Sequence, residues 1–233
     1  MASEKITMRF TIHTEEGKPI IRSWPSNVNL MGFVLELQGD KITDITDQVL
    51  SYAYDGHYDF SEGYAAIRRS NNWGYVDLSL TEVVEPKYQE CSMVNEGFAK
   101  VKFDNKYGFI NMKRLNYPCT DFKFDSANTF HNGMAAVRIG DKYGYVSAFS
   151  PNTVAIPCQF EKAYDFNLSY PFAVVKINGK YGVIDKQGNF VVKPEFDEYS
   201  PYSTRIGNSH YNAKIGDKLF FIGIDASVSE IEG

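Results

Sequence analysis

Five times along the chain a cation and a bulky side chain flank the same kind of two-residue turn. The turns are Ser70-Asn71, Asp104-Asn105, Gly140-Asp141, Asn178-Gly179 and Gly216-Asp217. A two-residue hairpin fixes its own register, so the side chains just before the turn stand opposite those just after it. Arg68 then faces Trp73, Lys102 faces Tyr107, Arg138 faces Tyr143, Lys176 faces Tyr181 and Lys214 faces Leu219. A Lys or Arg over a ring is worth about 0.5–1 kcal/mol at an exposed site, which gives each cation a structural task. Two binding chemistries also follow. Arg68, Lys102, Arg138 and Lys176 can line up as a positive strip for an acidic partner. The rings at Tyr107, Tyr143 and Tyr181, recurring at one spacing, can stack on sugar faces.

Catalytic groups do not assemble into any template. His13, His57, His131 and His210 lack metal-ligand spacing, and no His-Glu-x-x-His occurs. Nucleophile elbows and glycine-rich phosphate loops are absent from the sequence. Asp77 and Asp185 recur after the ring-glycine strand, but Asn111 and Ser147 hold the equivalent positions. Capping a turn suits all four side chains; acid–base work by paired carboxylates does not tolerate that exchange. Cys91, Cys119 and Cys158 have no Cys-x-x-Cys spacing, so they read as reduced thiols, with Cys119 and Cys158 as small core hydrophobes after a proline. The chain is therefore expected to be no enzyme and to need no cofactor or metal.

The elements that position these pairs are strands. Asn72-Trp73-Gly74-Tyr75-Val76, Lys106-Tyr107-Gly108-Phe109-Ile110, Lys142-Tyr143-Gly144-Tyr145-Val146 and Lys180-Tyr181-Gly182-Val183-Ile184 repeat one phrase. Upstream of three of them stand Glu62-Gly63-Tyr64-Ala65, Glu96-Gly97-Phe98-Ala99 and Asn132-Gly133-Met134-Ala135. Downstream come apolar strands ending in Pro86, Pro118, Pro157 and Pro194. Proline cannot donate to a ladder and so marks a strand end or an edge. On the other face of each hairpin Ile67, Val101, Val137 and Val175 stand opposite Gly74, Gly108, Gly144 and Gly182. That small face, lacking a Cβ at every glycine, is expected to pack closely on the neighbouring repeat.

The pattern predicts an all-β array of about six three-stranded antiparallel meanders. An open superhelical stack is the preferred arrangement and a small closed propeller the alternative. Residues 1–30 read as a capping hairpin around Glu15-Glu16-Gly17. Residues 31–57, with Gly39-Asp40, read as a degenerate first repeat, 58–198 as four full repeats, and 199–233 as a degenerate capping repeat. Within the last, Tyr202, Arg205 and Tyr211 belong to a stretch rich in Tyr, Ser and Asn, the composition of adaptable recognition loops.

These phrases, together with the Lys186-Gln187-Gly188-Asn189 turn followed by a strand that ends at Pro194, resemble the WG-repeat family, also called KWG repeats. Only the first full repeat has the literal Trp73-Gly74; the others hold tyrosine, and the last has Leu219-Phe220. The resemblance implies a bacterial or phage-type β-repeat protein with no shared catalytic residues.

Composition agrees with a folded binding module. The 233 residues are 43% apolar and 15% aromatic, too hydrophobic for disorder. A net charge of -5 is the reverse of a nucleic-acid footprint, and no apolar run reaches membrane-span length. Charges run through the first ten residues without an apolar core, so a cytoplasmic chain is expected. The expected function is a non-catalytic scaffold recognising another protein, as an immunity, inhibitor or adaptor protein. A glycan or cell-wall module using the aromatic face is the alternative. Nucleic acid and membrane are not expected partners.

Overall fold

A computed structural model describes residues 9–13, 19–23, 50, 53–114, 120–166, 171–200, 211–223 and 225–231. The chain forms two compact units, Met1–Val94 and Asn95–Gly233. Among the described residues helical backbone occurs only at Leu50 and Ala53. No helix there is long and apolar enough to cross a membrane.

The first unit holds the hairpin of β1 (Arg9–His13) and β2 (Pro19–Ser23), paired from Arg9 with Ser23 to His13 with Pro19. These two strands lie where the sequence reading placed a hairpin; the Gly39-Asp40 turn lies outside the described residues. Next come β3 (Gly56–His57), β4 (Tyr64–Arg69), β5 (Asn72–Asp77) and β6 (Glu82–Tyr88), forming one antiparallel sheet in chain order. The unit also contains β7 (Glu90–Cys91).

In the second unit β8 (Phe98–Phe103) and β9 (Lys106–Asn111) pair, and Tyr107 bridges to Phe124. Three four-stranded sheets follow in chain order. One is β10 (Ser126–Ala127), β11 (Met134–Ile139), β12 (Lys142–Ser147) and β13 (Ser150–Phe160). The next is β14 (Lys162–Ala163), β15 (Ala173–Ile177), β16 (Lys180–Ile184) and β17 (Phe190–Phe196). The last is β18 (Glu198–Ser200), β19 (Tyr211–Ile215), β20 (Lys218–Ile222) and β21 (Val228–Ile231), so the degenerate final repeat forms a full sheet. The repeated meander of the sequence is thus present, preceded in each four-stranded sheet by a strand of two or three residues. A strand that short shows no alternation, so the pattern could not announce it.

The turns have the backbone their residues favour. Ser70 and Asn71, Asp104 and Asn105, and Asn178 and Gly179 all have positive φ, as primed hairpin turns require. A second tight turn, at Glu62-Gly63, Glu96-Gly97 and Asn132-Gly133, also has both residues at positive φ and brings the chain into β4, β8 and β11. The glycine of this pair was legible in the sequence; its role as a turn was not.

The strand glycines serve a different neighbour from the one expected. A Cβ on Gly144 would stand 2.4 Å from the Ile156 carbonyl oxygen and 2.8 Å from the Cys158 nitrogen, both in β13 of the same sheet. Gly74 meets Val84 and Pro86, and Gly182 meets Val192 and Pro194, in the same way. Register explains this. Tyr143 pairs with Phe160 but Tyr145 with Ile156, leaving Pro157, Cys158 and Gln159 opposite Gly144 alone. β6 and β17 bulge at the same place. The strands therefore continue past Pro86, Pro157 and Pro194 instead of ending there as expected; proline fits such an edge bulge because it owes the ladder no N–H. The crowding lies within each sheet, between glycine and bulge.

The sheets of the second unit pack face to face with opposite characters meeting. Tyr145, Phe160 and Ile156 of one sheet share a buried cluster with Ala173, Val175 and Ile184 of the next. Phe109 and Phe124 likewise meet Ala135, Val137 and Val146. Val183, Val192 and Phe196 meet Ala213 and Ile222. The aromatic face of one repeat therefore lies on the small, β-branched face of its successor. In the first unit Ala65, Ile67 and Val76 pack with Leu50, Tyr54 and Leu80.

Candidate functional site

The cation–ring pairs have the register the turns dictate. Arg68 stands opposite Trp73, Lys102 opposite Tyr107, Arg138 opposite Tyr143, Lys176 opposite Tyr181 and Lys214 opposite Leu219. The Arg68 guanidinium lies 5.6 Å from the Trp73 ring centre, and the ammonium groups of Lys102 and Lys176 lie 5.3 and 5.0 Å from Tyr107 and Tyr181. Arg138 instead donates to the Gly140 carbonyl at 2.6 Å. Tyr58, not singled out by the sequence, stacks on Trp73 with centroids 4.8 Å apart. All eight ring and cation side chains of the four full pairs are half-buried. Tyr107, Tyr143 and Tyr181 each lean on the cluster joining their sheet to the next, so one side of each ring is already in contact. Tyr202 and Arg205 lie outside the described residues. Tyr211 opens β19 opposite Ile222, and its side chain also lies outside them.

Acidic residues complete the frame, and these the sequence did not single out. The Asp125 carboxylate accepts from the Gly140 amide at 2.7 Å and from Lys106 Nζ at 2.5 Å, tying a hairpin turn to the strand of the preceding repeat. Asp197 does the same with the Gly216 amide, at 3.0 Å, and with Lys180. Asp55 accepts from the Ser70 amide at 2.7 Å, and Glu161 from the Gly179 amide at 3.2 Å. The lysine bond, then the turn amide, holds Asp125 below the ordinary carboxylate range; Lys180 and Gly216 act likewise on Asp197. Each acid follows a buried aromatic at the end of the preceding repeat, yet its partner amide lies many residues on. That separation hides the pairing from a reading of local spacing.

The turn that follows the ring-glycine strand of each full repeat is capped as expected. Asp77 Oδ1 accepts from the Ser79 and Thr81 amides at 2.8 and 3.0 Å, and Asp185 Oδ1 from Gln187 and Asn189 at 2.9 and 2.8 Å. Asn111 and Ser147 accept from Lys113 and Phe149 at 3.0 and 3.3 Å. Burial pushes the Tyr145 phenol well above its usual range, and its hydroxyl donates to the Tyr164 carbonyl at 2.7 Å. Tyr75 donates to Ser92 at the same distance.

The remaining candidate groups are dispersed. His13 lies in β1 and His57 in β3, His131 contacts Thr129 at 3.1 Å, and His210 lies outside the described residues. Among the described residues no three His, Cys, Asp or Glu side chains gather as a metal site. Cys91 and Cys158 are half-buried, which places them at the margin of the core rather than within it; burial raises the Cys158 thiol. Cys119 lies outside the described residues.

A family described as WG containing repeat matches residues 47–73, 73–107, 120–143, 152–181 and 181–204. No curated protein matches the chain. Among solved structures, Hsv2p of Kluyveromyces lactis is 10% identical with a TM-score of 0.44, over 75% of this chain and 62% of its own. A eukaryotic initiation factor is 11% identical with a TM-score of 0.48, over 95% and 62%. The N-terminal domain of Nup159 is 13% identical with a TM-score of 0.42, over 76% and 60%. The chain thus spans about three-fifths of the length of each of these structures.

Proposed function

The chain belongs to the WG-containing repeat family, and from that premise we propose that it is a non-catalytic scaffold recognising another protein through its repeat surface. The observation that carries this reading is the identical register of cation against ring in successive sheets. One motif, set by a two-residue turn and at four of the five turns held by an acid from the repeat boundary, presents an equivalent pair of side chains in each sheet. Such pre-organisation limits the entropy lost on binding. The half-buried rings, seated on the core and in three pairs beneath a cation, favour a protein partner over a stacked sugar. Within this reading an immunity, inhibitor or adaptor role places the repeat surface over a partner's own functional face.

The test is quantitative capture from lysate with the full chain and with Arg68, Lys102, Arg138 and Lys176 all changed to Gln. Loss of a stoichiometric protein partner, steeper at low salt, supports the proposal. Unchanged capture at every salt concentration removes the cation row from it. A saturable fluorescence response to polysaccharide, with no protein captured, overturns it.

A further inference from the structure

We infer that the turns at one end of the second unit form the docking surface for an acidic protein segment bearing a bulky apolar residue, with Phe149 as the anchor. This deepens the scaffold reading and rests on it. Phe149 is 99% exposed, at the tip of the turn between β12 and β13. The turn is held in place: Ala148 donates its amide to the Gly133 carbonyl at 2.9 Å, and the Phe149 amide donates to Ser147 Oγ. A ring so presented makes little contact with its own fold, and covering it removes apolar surface from water.

The turns of neighbouring repeats join it at this end. Met112 donates its amide to the Gly97 carbonyl at 2.9 Å, which brings Lys113 alongside Gly97. The adjacent Glu96 carboxylate accepts from the Asn132 and Gly133 amides at 2.5 and 2.7 Å. Lys186 Nζ donates to Asn132 Oδ1 at 2.8 Å. Hydrogen bonds and contacts therefore link the turns of two neighbouring repeats to those of the repeat that carries Phe149.

The two carboxylates of this end keep their charge but spend acceptor capacity on backbone amides. Glu96 faces two amides, and Asp185 faces the amides of Gln187 and Asn189. Lys113 and Arg114 are exposed, and among the described residues neither pairs with a carboxylate. Lys186 has a neutral amide as its partner. Three cations thus belong to the same set of linked turns as the open ring, complementary to carboxylates beside an apolar side chain. A lipid surface fits less well, because polybasic membrane sites gather roughly 4–8 cations and this chain has a net charge of -5.

The experiment selects a displayed random-peptide library on the full chain and measures the selected peptides against Phe149→Ala, Phe149→Ser and Lys113→Glu/Arg114→Glu. The expected peptides combine Asp and Glu with a bulky apolar residue. Both Phe149 variants weaken them about 30-fold, and the charge reversal weakens them more at low salt than at high. Unchanged melting confirms that the exposed substitutions leave the fold intact. No selected peptides, or peptides of equal affinity for all variants, overturn the inference while lysate capture still decides the scaffold reading. Phe149-dependent sedimentation with phosphatidylserine vesicles, in place of peptide binding, also overturns it.

Discussion

At the scale of single residues, the strand glycine and the boundary acid have different costs. Gly144→Ala puts a Cβ against three backbone atoms that cannot rotate away, so the bulge itself must shift. Overpacking of this kind costs about 1–3 kcal/mol, to be read from the denaturant midpoint. The boundary acids give a pH dependence whose sign is fixed. Asp125 and Asp197 are held low in the folded state, so their contribution is present above the ordinary carboxylate range and fades as pH falls through their lowered values. Asp125→Asn/Asp197→Asn therefore loses stability near neutral pH and shows a shallower acid decline than the parent in parallel denaturation curves. The cation–ring pairing was legible in the sequence because it depends only on turn length. The acid's role was not, since Asp125 finds its partners in two different repeats.

At the scale of the element, the connections between repeats are polar at the turns and apolar across the faces. Glu96 is the clearest polar link, receiving both amides of the Asn132-Gly133 turn. Glu96→Ala leaves those two donors without a charged acceptor and is expected to cost about 1–3 kcal/mol. Faster hydrogen exchange at Asn132 and Gly133 than at strand amides would locate the loss. The meander and its two contrasting faces could be read from Val137 against Gly144 and Arg138 against Tyr143. The short leading strands could not, because Ser126 and Ala127 alone carry no period. The bulge was equally hidden: glycine announced a close approach, but Pro157 and its neighbours share β13 with residues of ordinary alternation.

At the scale of the whole molecule, each sheet of the second unit before the final one relies on its successor to cover its aromatic face. Removing residues 198–233 takes away Ala213 and Ile222 and bares Val183, Val192 and Phe196. The shortened chain is expected to bind an apolar dye and to melt less cooperatively, as nearest-neighbour coupling between repeats requires. The prolines of the bulges bear on how anything else can attach. Pro86, Pro157 and Pro194 each sit in the last strand of a sheet, where a straight row of amide donors would otherwise invite an extra strand from a stranger. With that row bent and interrupted, growth by β-augmentation is closed along these rims. A visitor must be recognised by what the side chains offer, which leaves selectivity to the few positions where the repeats differ.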